Sequence, residues 1–113
     1  MIEQYDFGRI VIDGQVYTAD VIILPDKVFS SWWRQEGHQL APADLDEVIF
    51  ARPEVLVVGT GYSGLMRVLP ETEDYLAEHH IQLIAQHTTT ACQTYNRLLR
   101  EGRNVAAALH LTC

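Results

Sequence analysis

The sequence lacks the features of several large protein classes. Lys27 is the only lysine among eight basic residues, and nucleic-acid surfaces need basic residues at high density, so we expect no nucleic-acid partner. No apolar run approaches the roughly 20 residues that cross a bilayer, so we expect no membrane partner. The first residues, Met1–Asp6, have neither a basic start nor an apolar stretch. We therefore expect a cytoplasmic protein rather than a secreted one.

Cysteines and recognisable catalytic motifs are also scarce. Cys92 and Cys113 fall on different predicted elements and are expected to be reduced. No C-x-x-C or H-x-x-x-H pair occurs, and His110-x-x-Cys113 comes closest to metal-ligand spacing. Ser63 lacks the G-x-S-x-G context of a nucleophile elbow. We predict no metal, no cofactor and no identifiable catalytic residue, while enzymatic activity itself stays open.

Acidic residues are in excess. The net charge is −7, and residues 1–58 hold ten acidic against four basic residues, whereas the remainder holds five against four. Apolar residues make up 48% of the 113 residues, and no repeat or Pro/Gly/Ser-rich linker interrupts them. This balance is typical of one globular domain, residues 1–113.

Start, stop and periodicity signals predict the order β-β-β-α-β-α-β-α-β. The strands are expected in Arg9–Ile12, Gln15–Leu24, Val28–Leu40, Val55–Val58, Ile81–Ala85 and Val105–Leu111, and the helices start at Pro42, Pro70 and Thr90. Asp13-Gly14 is a type I′ turn signal between the first two strands. Thr90 and Gln93 have the spacing of a capping box. This order predicts a mixed α/β (α+β) fold, one central mixed β-sheet packed by helices.

A glycine loop follows the buried strand Val55–Val58. The residues from Gly59 to Gly64 have the spacing G-x-G-x-x-G, but no helix starts within the loop and no acidic residue ends the next strand, so a dinucleotide site is not expected. Two interpretations remain: a tight structural turn, or a pocket for a small anionic ligand at the carboxyl ends of the strands. The candidate ligand-binding residues are Gly59, Thr60, Gly61, Arg67, Thr89, Thr90 and His110.

Two adjacent tryptophans form the second unusual motif. Neighbouring residues of an extended segment point to opposite sides, so one of Trp32 and Trp33 should be core and the other should lie at a surface. Packing of both is the alternative. We predict an interaction surface that comprises Trp32, Trp33, Arg34 and His38, because large amphipathic rings are common in protein interfaces.

Several segments together resemble the MTH nine-three-eight domain family, a family of unknown function. Its relatives include an adipogenesis-associated human protein and a mitochondrial respiratory complex I assembly factor. The resemblance covers nearly the whole chain, and it rests on Leu24–Asp26, Trp32–Arg34 with Glu36–His38, Val57–Gly61, Thr90–Ala91 with Tyr95–Asn96, and Gly102–Cys113.

The resemblance implies a single domain with a central mixed sheet in which the final strand lies inside the sheet. The run Ala106–Ala108 agrees with this, because small side chains suit a crowded central strand. The family supplies no catalytic residue to transfer, and its better-known members resemble assembly or regulatory partners of other proteins. Two hypotheses follow: a non-catalytic protein-interaction module, with a homodimer possible, or a small-ligand binder or enzyme at the glycine loop.

Overall fold

A computed structural model describes all residues from 1 to 113. A short 3₁₀ turn, Pro42–Leu45, precedes the first helix. The helices are α1 Asp46–Ala51, α2 Pro70–Glu78 and α3 Thr88–Arg100. The strands are β1 Ile2–Asp6, β2 Arg9–Ile12, β3 Gln15–Tyr17, β4 Val21–Ile23, β5 Val28–Phe29, β6 Gln39–Leu40, β7 Val55–Gly59, β8 Arg67–Val68, β9 Gln82–Gln86 and β10 Val105–Leu109.

The central sheet has five strands in the order β5-β4-β10-β7-β9. The last strand, β10, pairs antiparallel with β4 and parallel with β7, so it lies in the middle of a mixed sheet. This confirms the mixed sheet and the internal position of the final strand. All five residues of β10 are buried, and three of them are alanines. The small side chains leave room for packing on both faces of the sheet.

Side chains of the central strands alternate between two cores, because successive residues of a strand point to opposite faces. On one face, Val57 and Ala107 pack with α3 and with the strands β1 and β2. On the other face, Leu56, Ala106 and Ala108 pack with α1, α2 and the buried Trp32. The sheet is therefore covered on both faces, and the tryptophan pair is anchored in the second core.

The N-terminal hairpin forms a sheet of its own, with the order β1-β2-β3. Asp13 and Gly14 have φ values of 49° and 81°, which confirms the two-residue turn. The expectation of one strand from Gln15 to Leu24 was wrong, because the chain leaves the first sheet after Tyr17 and joins the central sheet at Val21. Strand β1 was missed, since the polar sequence of Ile2–Asp6 gives little alternation.

Two further predictions need correction. The segment Val28–Leu40 contains only the two-residue strands β5 and β6, and between them it bends through Ser31, whose φ is +57°. Helix α3 begins at Thr88 rather than Thr90, because the N–H of Ala91 already donates to the carbonyl of His87. None of the three helices could span a bilayer, since they lack the length and the apolar character that this requires.

Candidate functional site

The two tryptophans differ sharply in exposure. Trp32 is 9% exposed, and its indole Nε1 donates to the carbonyl of Asp44 at 3.0 Å. Trp33 is 84% exposed. The backbone around them is fixed, because the N–H of Trp32 donates to the carbonyl of Asp20 at 2.8 Å. The buried ring therefore holds a segment, Ser30–His38, that presents the exposed ring to solvent; we call it the tryptophan segment.

Arg34 anchors the same segment from the other side. Its guanidinium lies 4.8 Å from the centre of the Trp32 ring, a cation–π distance. Its Nε and Nη2 both donate to the carbonyl of Gly37, at 3.2 and 2.8 Å. Its Nη1 donates to Asp20 Oδ2 at 2.9 Å. Only 4% of the Arg34 side chain is exposed, so its charge is paired within the protein and is not available at the surface.

Asp20 joins Arg34 to the end of the central strand. Its Oδ2 lies 2.8 Å from His110 Nδ1, and its Oδ1 accepts from the N–H of Leu111 at 2.8 Å. Burial alone would raise the pKa of Asp20, but hydrogen bonds from His110, the Leu111 N–H and Arg34 outweigh burial and lower the pKa below its ordinary value. The carboxylate therefore stays charged and connects three separate parts of the chain.

The imidazole of His110 has one partnered and one unpartnered nitrogen. Nδ1 faces Asp20 Oδ2 and also lies 3.1 Å from Arg34 Nη2; the contact with the carboxylate requires a proton on Nδ1. Nε2 is buried and has no hydrogen-bond partner. The ring of His38 lies edge-on at 5.9 Å between ring centres. In the neutral ring, Nε2 would carry a lone pair, which accepts a proton and repels an anion.

A cavity of about 300 Å³ lies beside this cluster. Its walls include Ser31, Trp33, Arg34 and His110. The sequence placed His110 at the glycine loop, but its side chain points instead to the candidate interaction residue Arg34 and to His38. Asp20 was missed, because an isolated aspartate before an apolar strand carries no motif. The arrangement chemically resembles a structural ion cluster, in which every charged oxygen and nitrogen has a partner within the protein.

The glycine loop, Gly59–Gly64, is closed by the chain itself. The N–H of Tyr62 donates to the carbonyl of Thr112 at 2.7 Å, and the N–H of Leu65 donates to the carbonyl of Cys113 at 3.0 Å. The N–H of Gly61 donates to Thr88 Oγ1 at 2.9 Å. Most amide groups of the loop are thus already used by the protein, and the exposed N–H of Ser63 is the exception. The side chain of Tyr62 is 55% exposed and packs against the rings of Tyr5 and Phe7.

Each loop glycine makes room for another part of the protein. A Cβ at Gly59 would lie 2.7 Å from Thr88 Oγ1, and a Cβ at Gly64 would lie 2.5 Å from the His87 ring. Gly61 has a φ of +113°, and its Cβ would lie 2.2 Å from the carbonyl carbon of Cys113. The glycine spacing is therefore explained by close packing, against side chains at Gly59 and Gly64 and against backbone at Gly61.

The other candidates of the ligand site lie around this closed loop. Thr60 Oγ1 donates to the carbonyl of Gln86 at 3.1 Å. The backbone of His110 does reach the loop, since its N–H donates to the carbonyl of Gly59 and its carbonyl accepts from Thr88 Oγ1. Thr89 and Thr90 are exposed in the first turn of α3, and Arg67 is exposed on β8. The structure brings the backbones together as the sequence suggested, and at this place the N–H groups of Thr89 and Thr90 have no acceptor, as is usual in the first turn of a helix.

Cysteine and metal chemistry have no assembled site. No group of three His, Cys, Asp or Glu side chains is placed to hold a metal ion. Both cysteines are free. Burial raises the pKa of the Cys92 thiol to about 12, so this thiol is almost entirely protonated at neutral pH.

The chain matches a family model over residues 2–110, and that family is described as a protein of unknown function (DUF498/DUF598). This chain is 29% identical over 111 residues to the NADH dehydrogenase (ubiquinone) 1 alpha subcomplex assembly factor 3 of Xenopus tropicalis. That match covers 96% of this chain and 59% of the relative, so the chain spans little more than half of that protein.

A second relative and a solved structure extend the comparison. The 13 kDa major membrane protein of Francisella tularensis is 27% identical over 108 residues, covering 95% of this chain and 87% of that protein. The solution structure of an MTH nine-three-eight-like domain from Bordetella pertussis superposes with a TM-score of 0.69 at 25% identity, covering 98% of this chain and 85% of that one. The resemblance first drawn from the sequence motifs is confirmed.

Proposed function

The chain belongs to the DUF498/DUF598 family of proteins of unknown function, and from this premise we propose that it is a non-catalytic protein-interaction module that serves the assembly of a larger protein complex. The Xenopus relative carries the name of an assembly factor, which supports a role in assembly. Its remaining length has no counterpart in this chain, so only the function of the shared domain is proposed here.

Trp33 is the observation that carries the proposal. An 84% exposed tryptophan leaves a large apolar ring in water, where the ring adds little hydrophobic burial to the stability of the fold. Its neighbours Trp32 and Arg34 are nearly buried, so the exposed ring is held on a fixed base. Fixed aromatic side chains lose little conformational entropy on binding and are enriched among the residues that dominate interface energies.

The closed glycine loop and the ion cluster supply the complementary argument. The loop N–H groups of Thr60, Gly61 and Tyr62 and the charges of Asp20 and Arg34 already have partners within the protein. The one unpartnered group, His110 Nε2, would offer an acceptor to an anionic ligand in the neutral ring. The pocket for a small anion is left with the unpartnered N–H groups of Ser63, Thr89 and Thr90, whereas Trp33 offers a large apolar ring with no partner, so protein interaction is the better-supported function.

The test compares association of tagged wild-type protein with that of the variant Trp33→Ala in cross-linked extracts of its own cells. We expect at least one protein to cross-link to the wild type and to be lost from Trp33→Ala. The melting temperature should be nearly unchanged, because the side chain is exposed. Phe7→Ala is the matched control, since Phe7 is 56% exposed on another part of the surface.

Equal recovery of every cross-linked protein with wild type and Trp33→Ala would reject the proposed surface, and loss with both Trp33→Ala and Phe7→Ala would reject its specificity. The cytoplasmic location and the homodimer expected from the sequence remain predictions. Cell fractionation tests the first, and sedimentation of the wild type beside Trp33→Ala tests the second.

A further inference from the structure

A groove runs from the tryptophan segment to helix α1. One cavity, of about 520 Å³, lies between the turn after β4 and α1, and a second, of about 460 Å³, continues to the tryptophan segment. The two share Phe29, Asp46 and Glu47 as wall residues. The two cavities therefore adjoin, and together we call them the α1 groove.

The α1 groove has an exposed aromatic ring at each end. Phe50 is 91% exposed at the end near α1, and Trp33 is 84% exposed at the other. These are the two most exposed of the large apolar side chains. Scattered apolar side chains are normal on a protein surface, but two such rings at the ends of one groove favour a site that a partner covers.

The free charges of the α1 groove are mostly negative. Asp26, Asp46 and Glu47 line it and are exposed. Lys27 is the one basic residue that is free there, and its ammonium lies 4.8 Å from the Phe29 ring. Two other charged residues on the wall, Arg34 and Asp44, make their hydrogen bonds within the protein: Arg34 to Asp20, and Asp44 to backbone N–H groups. An occupant that complements this groove therefore carries positive charge.

We propose that the α1 groove binds a short segment of a partner protein in which basic residues alternate with apolar ones. The apolar side chains would cover Trp33 and Phe50, and the basic side chains would meet Asp26, Asp46 and Glu47. A second copy of this chain fits less well, because each copy carries a net charge of −7. This inference rests on the proposed interaction function and adds the chemistry of the partner.

The test uses a short synthetic peptide of alternating arginine and leucine, with a glutamate–leucine peptide as its acidic counterpart. The readout is intrinsic tryptophan fluorescence, since neither peptide contains tryptophan. Covering the exposed Trp33 should shift its emission to shorter wavelength, while the buried Trp32 contributes a constant background. We expect saturable binding of the basic peptide that weakens with salt, and no binding of the acidic one.

The double variant Asp46→Lys/Glu47→Lys should weaken binding of the basic peptide at least about tenfold, because it replaces two negative charges of the groove with positive ones. Glu71→Lys/Glu73→Lys is the matched control. It makes the same change in net charge at exposed positions in the first turn of α2, away from the groove. The neutral double variant Asp46→Asn/Glu47→Gln gives a second measurement if the charge reversal disturbs folding, and it should also weaken binding more than the control.

Three results would overturn the inference: equal loss of affinity in the groove and control variants, binding of the acidic peptide, or no binding of the basic one. Sedimentation that shows a dimer broken by Asp46→Lys/Glu47→Lys would identify a second copy as the occupant and would also overturn it. Failure of the proposed function is distinguishable: if cross-linking to a cellular protein depends on Trp33 but not on Asp46 and Glu47, the interaction module stands and the basic partner does not.

Discussion

The glycine loop and the tryptophan segment differ in how well the sequence motif of each indicates its role in the structure. Gly59–Gly64 has the spacing of a ligand-binding loop, yet its amides bind the protein's own chain at Thr88 and Thr112. The segment Ser30–His38 has no ligand-binding motif, yet it combines a nearly buried ion cluster with the exposed Trp33. The comparison teaches that backbone N–H groups form a ligand-binding site only where the fold leaves them without an acceptor.

The largest effect is expected on the tryptophan segment. Asp20→Asn removes the charge that pairs with the nearly buried Arg34, and loss of one partner of such a pair typically costs about 3–5 kcal/mol of unfolding free energy. Urea denaturation measures it. Glu101→Gln is the control, because the Arg97–Glu101 pair is exposed and should contribute at most about 0.5 kcal/mol. Similar losses for the two variants would mean that the cluster does not hold the segment.

The next effect falls on the glycine loop. Gly61→Ala places a Cβ against the backbone of Cys113 at a positive φ, and strain with overpacking should cost about 3 kcal/mol. Gly14→Ala separates the two causes, since Gly14 also has a positive φ but nothing lies within 4 Å of its Cβ position. Denaturant midpoints that fall equally in both variants would show that the closed packing at Gly61 contributes nothing.

Acid should weaken the tryptophan segment in particular. The pKa of Asp20 is lowered in the folded protein from an ordinary value of 3.8, so its stabilisation is complete above that value and is lost as the pH falls through the folded pKa. We expect the unfolding free energy of the wild type to decrease as the pH falls below 3.8 and through the folded pKa, and to do so less steeply in Asp20→Asn. Parallel pH profiles of the two proteins would contradict the assignment.

Much of the fold follows from local sequence, whereas the site does not. The turn Asp13-Gly14, the proline start of α2 and the alanine-rich β10 are encoded by neighbouring residues, and the structure has them, whereas Pro42 starts only the 3₁₀ turn that precedes α1. The division of Gln15–Leu24 between two sheets depends on Asp20, whose partners Arg34 and His110 are distant in sequence. A contact across 90 residues leaves no local signal.

The candidate residues divide in the same way. Opposite exposure of Trp32 and Trp33 follows from a simple rule for adjacent side chains, although the segment is not a strand. The glycine spacing was ambiguous, because close packing against Thr88 requires glycine as much as a bound ligand does. Phe50 gave no signal, since an apolar residue near an amphipathic stripe is normally counted as core.

The smallest effect on stability belongs to the last prediction, which concerns the chemical labelling of the two free thiols, Cys92 and Cys113. Since burial raises the pKa of Cys92 to about 12, its thiolate fraction near pH 8 is about a thousandfold below that of a thiol with the ordinary value of 9.0. Iodoacetamide should therefore modify Cys113 long before Cys92 in the native protein, as mass spectrometry of timed samples would record. Gly61→Ala should further accelerate Cys113 if its backbone is displaced from the loop; rapid labelling of Cys92 would contradict the burial.

The order of the central sheet has a consequence for synthesis on the ribosome. Strands β4 and β7 pair with β10 on either side and not with each other, so the edge that each presents to β10 stays unpaired until Val105–Leu109 has left the exit tunnel. Until then the nascent chain holds two unpaired strand edges and an open apolar surface, which chaperones recognise and which can aggregate. We therefore expect folding to be delayed until translation has passed this segment.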